Sequence, residues 1–202
     1  MRKDMAVTGL VLAGGRGTRM GSVDKGLQLF NGKPMAQQVL QRLRPQVQHL
    51  LINANQNMEA YAAWGTPVWP DAIAGFAGPL AGLHTGLLHC DTPLLVTAPC
   101  DSPFLPLDLV SKLMAALQEQ DADLAVAVTG HGSTRQPQPV FTLARIDLLP
   151  HLTAFLSGGG RKVDAWYATL KVAEVGFEDE AAFRNINTLA ELQEFSQSAP
   201  AP

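Results

Sequence analysis

Residues 11–26, VLAGGRGTRMGSVDKG, combine closely spaced glycines with two arginines and a lysine. Glycine lets the backbone approach an anion closely, and consecutive backbone N–H groups then form an anion-binding concavity. The side chains of Arg16, Arg19 and Lys25 can add charge-assisted hydrogen bonds. An apolar run over residues 5–12 leads into the loop. A buried strand followed by a glycine-rich basic loop predicts a site for a polyphosphate.

The spacing in this loop departs from two common phosphate-binding patterns. A Walker A loop has the form GxxxxGK[ST], but Lys25 is followed by Gly26, so no hydroxyl is placed there to hold Mg²⁺. A dinucleotide fingerprint has the form GxGxxG, but after Gly15 and Gly17 the third glycine is replaced by Met20. A ligand for Mg²⁺ must therefore come from another part of the chain.

Asp101 is the candidate metal ligand. It stands in APCDSPF, residues 98–104, directly after an apolar run that starts at Leu94. A carboxylate suits a hard cation such as Mg²⁺, which proteins bind through one or two carboxylates plus substrate phosphates. The alternative is a turn aspartate that bonds to its own backbone. Because the phosphate-binding loop is present, we favour the metal ligand.

Asn53 and Asp71 also follow short apolar runs. In parallel sheets, ligands bind beyond the carboxyl ends of the strands, near the point at which strand order reverses. We therefore expect both residues, the loop after Leu12 and Asp101 to gather at one site. A carboxylate can accept hydrogen bonds from the N1–H and N2–H₂ edge of guanine, and an amide both donates and accepts. The alternative for each residue is an ordinary turn.

Apolar and amphipathic segments alternate along the chain, which predicts βαβ units, a mostly parallel sheet and helices on both faces. Proline at the first helical position favours helix starts at Pro34, Pro79 and Pro106. The predicted strands are residues 5–12, 47–53, 94–98, 123–128, 137–143 and 171–175. The predicted helices are residues 34–44, 56–63, 79–90, 106–120, 147–156 and, capped by Thr188, 188–195. We expect one domain over residues 1–196 and a disordered tail over 197–202.

Composition limits the class of protein. A chain of 202 residues suits a single domain. Its net charge of −3 provides no basic field to attract nucleic acid or a membrane surface, and no run approaches the ~20 apolar residues of a membrane span. The first apolar run is too short for a signal peptide. Cys90 and Cys100 cannot form a disulfide framework, so we expect two buried thiols in a reducing cytoplasm.

Four motifs carry a resemblance to a known family. LAGGxGxRMGxxDKG resembles the signature loop of nucleotidyltransferases that make nucleotide-linked sugars and cofactors, and in particular that of the molybdenum cofactor guanylyltransferases. PCDSP (99–103) resembles the second motif of that family, and GPLAG (78–82) a segment beside the nucleotide. RNINT (184–188) resembles its NxNT segment, although Leu189 stands where the family commonly has proline. The motifs follow family order over nearly the whole chain.

The resemblance implies a Rossmann-like three-layer α/β sandwich of the nucleotide-diphospho-sugar transferase type. It also implies the transfer of GMP from GTP to the terminal phosphate of molybdopterin, with release of pyrophosphate and formation of the guanine dinucleotide cofactor. The implied cofactor is Mg²⁺. We further expect a cytoplasmic monomer that contacts neither nucleic acid nor membrane, with transient contacts to molybdopterin-synthesis proteins or recipient molybdoenzymes.

The same resemblance implies roles for individual residues. Arg19, Lys25 and the loop amides would offset charge on the leaving pyrophosphate, while Asp101 would hold Mg²⁺. Asn185 and Asn187 would contact the pterin, and alternate residues of an extended chain face the same way. The expected nucleotide contacts are Leu12, Ala13, Gly14, Gly15, Lys25, Asn53, Asp71, Gly78 and Asp101.

Other functions remain compatible with these motifs. One is a cytidylyltransferase for the same pterin or a sugar-phosphate nucleotidyltransferase. A different class is a nucleotide-binding protein that delivers the cofactor without turnover, although such a protein could dispense with the Asp101 carboxylate. The roles of Asp24, His84, His131 and the basic loop 158–162 stay open.

Overall fold

The computed structural model describes residues 5–15, 24–73 and 78–198 of the chain. Within these ranges the strands are β1 (Val7–Leu12), β2 (Leu29–Phe30), β3 (Lys33–Pro34), β4 (His49–Asn53), β5 (Val68–Trp69), β6 (Leu94–Pro99), β7 (Leu124–Thr129), β8 (Gln136–Arg145) and β9 (Val172–Phe177). The α-helices are α1 (Met35–Leu43), α2 (Met58–Ala62), α3 (Pro79–Leu88), α4 (Leu109–Glu119), α5 (Leu149–Ser157), α6 (Val163–Tyr167) and α7 (Leu189–Ser198). Arg16 and Arg19, both predicted to bind phosphate, lie outside the described residues.

Seven strands form one sheet in the order β5-β4-β1-β6-β8-β7-β9, and β2 pairs with β3 in a separate hairpin. Parallel ladders join β1 to β4 and β6, β4 to β5, and β7 to β9. Within this sheet β8 runs antiparallel to both of its neighbours, β6 and β7. The sheet is therefore mostly parallel, as predicted, and its strand order reverses between β1 and β6.

Alternate side chains of the strands pack in two separate hydrophobic cores. On β1, Val11 packs in the core that α1 and α4 cover, whereas Leu10 packs in the core that α3 and α5 cover. Leu113 of α4 lies in the first core and Leu152 of α5 in the second. The predicted three-layer α/β sandwich is confirmed. In the described part of the chain, no helix is both long and apolar enough to cross a membrane.

Three prolines were predicted at the first position of a helix, and one of them lies there. Pro79 begins α3, where its missing N–H costs no helical hydrogen bond. Pro34 instead precedes α1 and belongs to the β2–β3 hairpin. After Pro106 the chain first makes a turn, in which Leu109 N donates to the Pro106 carbonyl at 3.4 Å, and α4 begins only at Leu109. The first-position prediction is therefore wrong for Pro34 and Pro106.

The C-terminal helix α7 is capped as predicted. The Thr188 hydroxyl accepts a hydrogen bond from the Glu191 N–H at 3.1 Å. The helix continues to Ser198 and so includes the first two residues of the predicted tail, 197–202. The extension has a simple reason, because the first helix-breaking residue after this point is Pro200. The last residues of the chain, after Ser198, lie outside the described part.

A bulge interrupts the pairing of β7 with β8. Val126 pairs with Thr142, but the next residue, Ala127, pairs with Gln138, so residues 139–141 of β8 have no register partner in β7. Bulges of this kind bend a strand and often lie beside functional sites. Val140, within the bulge, lines the cleft at which the candidate site lies.

Close packing of α3 on the sheet depends on glycine. A Cβ atom at Gly86 would lie 2.8 Å from Leu95 Cδ2 and would also collide with Leu10 Cδ2. We expect Gly86→Val to lower the free energy of unfolding by about 1–3 kcal/mol, because excess volume displaces packed side chains. Gly176→Val in β9 is the matched control, since a Cβ there meets nothing within 4 Å. Urea denaturation compares the two variants, and equal losses of stability would contradict this account.

Candidate active site

The carboxyl ends of β1, β4, β5 and β6 surround a cleft of about 670 Å³. Two backbone hydrogen bonds join the ends of neighbouring strands. Ala13 N donates to Asn53 O at 2.8 Å, and Cys100 N donates to Leu12 O at 3.0 Å. Strand order reverses at this place, which is where open α/β sheets bind ligands. The predicted gathering of strand-end residues at one site is confirmed.

All the residues predicted to contact a nucleotide line this cleft. They are Leu12, Ala13, Gly14, Gly15, Lys25, Asn53, Asp71, Gly78 and Asp101. Of the two residues predicted to contact a pterin, Asn185 lines the cleft and Asn187 reaches it through a hydrogen bond with Lys25. The fold thus brings the predicted set together, while the ligand of each residue stays a prediction.

A lysine and a carboxylate face each other at one end of the cleft. Lys25 Nζ lies 3.3 Å from Asp101 Oδ2 and donates a 2.8 Å hydrogen bond to Asn187 Oδ1. The two charged side chains are only 19% and 13% exposed, so each depends on the other for its charge to be tolerated. An ammonium group has three N–H donors, and its third can serve an anion in the cleft.

Asp101 is held firmly at the end of β6. Its backbone carbonyl accepts a 2.8 Å hydrogen bond from the Ile186 N–H, which fixes the residue against the C-terminal segment. Burial raises the pKa of Asp101 above its ordinary value, and the Lys25 ammonium partly opposes that shift. A further cation beside the carboxylate would favour its ionised form.

The donor set at Asp101 suits a magnesium ion that is shared with a substrate. Mg²⁺ prefers oxygen ligands and commonly takes one or two carboxylates together with phosphate oxygens and water. Among the described residues, no group of three or more His, Cys, Asp or Glu side chains could hold a metal ion. Asp101 therefore fits an ion that also binds phosphate, rather than an ion enclosed by protein ligands alone.

Two asparagines hold the Asp71 carboxylate at the other end of the cleft. Asn53 Nδ2 donates to Asp71 Oδ1 at 2.9 Å, and Asn55 Nδ2 donates to Asp71 Oδ2 at 2.9 Å. The Asp71 N–H in turn donates to Asn55 Oδ1 at 2.8 Å. Each carboxylate oxygen can accept more than one hydrogen bond, so Asp71 can also accept from a ligand.

Sequence reasoning missed Asn55. Its Nδ2 donates a second hydrogen bond, to Gly14 O at 3.1 Å, and so joins the first loop to Asp71. A side chain at position 14 would displace the amides of Asn55 and Asn53, because a Cβ there would lie 2.8 Å from Asn55 Nδ2 and 2.9 Å from Asn53 Oδ1. The sequence held one signal for Asn55, which is that it follows Asn53 by two residues. Side chains two residues apart lie on the same side of an extended chain.

The start of α3 forms one wall of the cleft. Gly78, just before the helix, has a φ of 65°, a left-handed conformation that favours glycine. Gly82, one turn into the helix, allows a close approach to β4, because a Cβ there would lie 2.6 Å from Asn53 Oδ1. The helix therefore presents the partial positive charge of its N-terminus next to the cleft, which favours an anion.

The segment that precedes α7 closes the Asp101 end of the site. Ser102 Oγ donates a 2.5 Å hydrogen bond to Asn185 Oδ1, and Asn187 N donates to Glu191 Oε2 at 2.6 Å. Because Asn187 also accepts from Lys25, the two asparagines tie the C-terminal segment to Lys25 and to Ser102, the residue that follows Asp101. The predicted pair of amides thus lies at the end of the cleft that carries Lys25 and Asp101.

Two histidines and one loop whose roles were open lie outside the cleft lining. His84 is buried with its Nε2 2.9 Å from Thr153 Oγ1, and burial lowers the pKa of this histidine. His131 is exposed. In the basic loop 158–162, Arg161 Nη1 donates to the Leu156 carbonyl at 2.8 Å and so caps the end of α5. These contacts give His84 and Arg161 structural roles.

The two cysteines are reduced thiols in different settings. Cys100 is buried, as predicted, whereas Cys90 is only half-buried, because it lies in the turn between α3 and β6. Burial, assisted by the neighbouring Asp101 and Asp24 carboxylates, raises the pKa of Cys100 well above its ordinary value. Its thiol therefore stays protonated at neutral pH, and a protonated thiol is a poor nucleophile.

The fold and the cleft together define a nucleotide-binding α/β protein of the doubly wound class. A family model described as the MobA-like NTP transferase domain matches residues 9–172. The chain belongs to this family of nucleotidyltransferases.

Close relatives carry one name. A protein from Bordetella petrii is 56% identical over 188 residues, which cover 93% of this chain and 96% of that protein. A protein from Ralstonia nicotianae is 56% identical over 196 residues, which cover 95% of this chain and 96% of that protein. Both are named molybdenum cofactor guanylyltransferase, which confirms the resemblance that the sequence motifs indicated.

Solved structures share the fold at low sequence identity. Molybdopterin-guanine dinucleotide biosynthesis protein A from Archaeoglobus fulgidus matches with a TM-score of 0.75 and 22% identity, over 94% of this chain and 97% of that chain. The 4-diphosphocytidyl-2C-methyl-D-erythritolsynthase from Anaerococcus prevotii matches with a TM-score of 0.75 and 13% identity, over 96% of this chain and 98% of that chain. These matches confirm the predicted fold class.

The buried Asp101 carboxylate makes stability depend on pH. Because folding raises the pKa of Asp101, protonation of its carboxyl group stabilises the folded state. This stabilisation is lost as the pH rises above the ordinary pKa of 3.8 and through the raised pKa of the folded state. In metal-free buffer, we expect wild-type protein to lose stability relative to Asp101→Asn as pH rises from about 4 to 7. Urea denaturation at several pH values measures this difference, with Asp108→Asn at an exposed position as control. A difference that grew in the opposite direction would contradict the raised pKa.

Proposed function

We propose that the protein transfers GMP from GTP to the terminal phosphate of molybdopterin, releasing pyrophosphate and forming the guanine dinucleotide cofactor. The observation that carries the proposal is the largely buried pair of Lys25 and Asp101 at the switch point of the sheet. It is supported by 56% identity over 93% of the chain to a protein named molybdenum cofactor guanylyltransferase.

The triphosphate of GTP would lie along the first loop. The backbone of Gly14 and Gly15 lines the cleft without side chains that would block a phosphate. Lys25 would offset negative charge on the β- and γ-phosphates, which leave as pyrophosphate. Arg19, in the same motif, would add a second positive charge. Phosphoryl-type transfers depend mainly on positioning and charge stabilisation, so these contacts account for much of the catalysis required.

Asp101 would hold the Mg²⁺ ion that accompanies the nucleotide. Bound Mg²⁺ polarises the phosphate oxygens and neutralises part of their charge. The Asp101 carboxylate is available for this because the Lys25 ammonium approaches only its Oδ2 atom. Asp101 and Lys25 would thus keep the metal and the leaving group side by side.

Asp71 would recognise the guanine base. Its carboxylate accepts hydrogen bonds only, which matches the N1–H and N2–H₂ donors of guanine. Asn53 and Asn55 fix both carboxylate oxygens, so the acceptor is presented in one orientation. A cytosine or uracil base cannot offer the same pair of adjacent donors, and the site would therefore favour GTP.

The pterin substrate would approach from the side of Asn185 and Asn187. Its terminal phosphate supplies the attacking oxygen, which is already anionic at neutral pH, so the protein does not need to provide a general base. The neutral Cys100 thiol in the cleft agrees with this, because it serves neither as base nor as nucleophile. The contribution of the chain is then to align two phosphates and to offset their charge.

A side-by-side assay of GTP, CTP, ATP and UTP with molybdopterin and Mg²⁺ tests the proposal. We expect pyrophosphate release and a dinucleotide product with GTP. A preference for CTP would indicate a cytidylyltransferase for the same pterin, and transfer only to sugar phosphates would indicate a sugar nucleotidyltransferase. Nucleotide binding without pyrophosphate release would indicate a protein that delivers the cofactor.

Asp101→Ala should lower the transfer rate by about a hundredfold or more, because it removes the proposed metal ligand from a preorganised site. Removal of Mg²⁺ by a chelator should have the same effect on wild-type protein, and added Mg²⁺ should restore activity to wild type but not to the variant. Asp108→Ala, at an exposed ion pair, is the control. Circular dichroism checks that both variants fold. Full activity of Asp101→Ala would rule out its role as metal ligand.

Asp71→Asn should reduce the preference for GTP over other nucleotides by about tenfold, the size of effect expected from the loss of one hydrogen bond to the substrate. The measured quantity is the ratio of kcat/KM for GTP to kcat/KM for CTP and ATP. Asp91→Asn, an exposed aspartate away from the cleft, should leave the ratio unchanged. An unchanged ratio in Asp71→Asn would show that another group selects the base.

A further inference from the structure

Asp24 lines the cleft immediately before Lys25, and neighbouring residues donate hydrogen bonds to its carboxylate. Its Oδ1 atom accepts a 2.6 Å hydrogen bond from the Tyr61 hydroxyl and a 3.1 Å hydrogen bond from Gly26 N. Its Oδ2 atom accepts a 3.0 Å hydrogen bond from Asn57 Nδ2. Both oxygens are thus engaged by neighbouring groups, and this distinguishes Asp24 from Asp101 as a candidate metal ligand.

Tyr61 is an unusual donor because its side chain is 0% exposed. Burial, together with the nearby Cys100 and the Asp24 carboxylate, raises the pKa of Tyr61 above its ordinary range. The phenol is therefore protonated at any working pH and can donate its hydrogen bond to Asp24. Such a bond between a neutral hydroxyl and a carboxylate is charge-assisted and strong.

The same hydroxyl also packs against the residue that follows Lys25. A Cβ atom at Gly26 would collide with the Tyr61 hydroxyl and lie 3.2 Å from Ala36 Cβ. Tyr61 therefore contacts Asp24 on one side of Lys25 and Gly26 on the other. The Tyr61 ring packs in the hydrophobic core that includes residues of β1 and β6. The contacts with Asp24 and Gly26 therefore fix the backbone of Lys25 relative to this core.

The backbone around Lys25 is a short 3₁₀ turn, Lys25–Leu27, with Asp24 as its N-cap. Gln28 completes the turn, because Gln28 N donates to Lys25 O at 3.1 Å and Gln28 Nε2 donates to Asp24 O at 3.2 Å. A lysine side chain is a flexible four-carbon stem, so the point from which it starts decides which groups its ammonium can reach. A fixed turn thus favours the contacts of Lys25 with Asp101 and Asn187.

We propose that Tyr61, acting through Asp24, is the positioning residue that directs the Lys25 ammonium to Asp101 and Asn187. The expected effect on catalysis rests on the proposed function, in which Lys25 offsets charge on the phosphates. The inferred position of the Lys25 side chain does not rest on the proposed function, because it concerns only contacts within the protein. In this proposal Asp24 acts on Lys25 through the backbone turn that it caps.

Tyr61→Phe tests the inference with little change in shape, because it removes only the hydroxyl. We expect kcat for transfer to fall by about tenfold, the size of effect that follows the loss of one hydrogen bond to a charged group. Tyr167→Phe is the matched control, since the Tyr167 hydroxyl also bonds within the fold, to Thr142 and to the Pro139 carbonyl. We expect wild-type kcat in this control. Asp24→Ala, which removes the intermediate residue, should match Tyr61→Phe.

A double-mutant cycle separates positioning of Lys25 from general damage to the fold. Lys25→Met removes the ammonium and keeps the stem. In that background we expect Tyr61→Phe to cause no further loss of kcat, because its effect passes through Lys25. Equal losses in the presence and absence of Lys25 would overturn the proposal, and so would kcat of Tyr61→Phe and Asp24→Ala within twofold of wild type.

A measurement without substrate keeps this inference distinct from the proposed function. The NMR signal of the Lys25 ε-methylene group can be assigned by its absence in Lys25→Met. We expect Tyr61→Phe to change the chemical shift of this signal in the same direction as Asp101→Asn, because both variants weaken the same ion pair. The control Tyr167→Phe should leave the chemical shift unchanged. If wild-type protein lacks transfer activity, the proposed function fails while this signal still decides the inference. An unmoved Lys25 signal in Tyr61→Phe would contradict it.

Discussion

The ion pair of Lys25 and Asp101 is the constraint on which the rest of the cleft depends. Its members come from the loop after β1 and from the end of β6, and they meet because these two strands are hydrogen-bonded neighbours. Both side chains are largely withdrawn from water, so each charge needs its partner and further polar contacts. Asn187 supplies one such contact to Lys25, and Ile186 N fixes the backbone of Asp101. The C-terminal segment is therefore part of the site, although it is remote in sequence.

The cleft has two ends that differ in chemistry. One end carries the ion pair and suits phosphates with a cation, while the other carries Asp71 between two asparagines and suits a group with N–H donors. Asn55 couples the ends, because it bonds both to Asp71 and to the carbonyl of Gly14 in the first loop. In the proposed function, a nucleotide that filled both ends would have its α-phosphate between them. Transfer would then depend mainly on alignment and on charge stabilisation.

The strand-end residues of the site could be predicted from sequence, because parallel strands that alternate with helices bring their carboxyl ends to one edge. Elements of two residues, such as β5, show no periodicity and were not predicted. The direction of β8 was also beyond prediction, since the alternation of side chains is the same in parallel and antiparallel strands. Asn55 and Tyr61 act through other side chains, and Tyr61 resembles any buried aromatic residue of an amphipathic segment. Contacts across more than thirty residues, such as Tyr61 with Asp24, become visible only in the folded chain.

A crystal structure with Mg²⁺ and a non-hydrolysable GTP analogue is the most direct test of the central claim that this cleft orients a guanine nucleotide for transfer. The account predicts the triphosphate along Gly14 and Gly15 with Lys25 beside it, the metal ion on Asp101, and the guanine N1–H and N2–H₂ groups on Asp71. A nucleotide bound in the reverse direction, with its base against the Lys25–Asp101 pair, would contradict the account. So would a nucleotide bound outside the cleft.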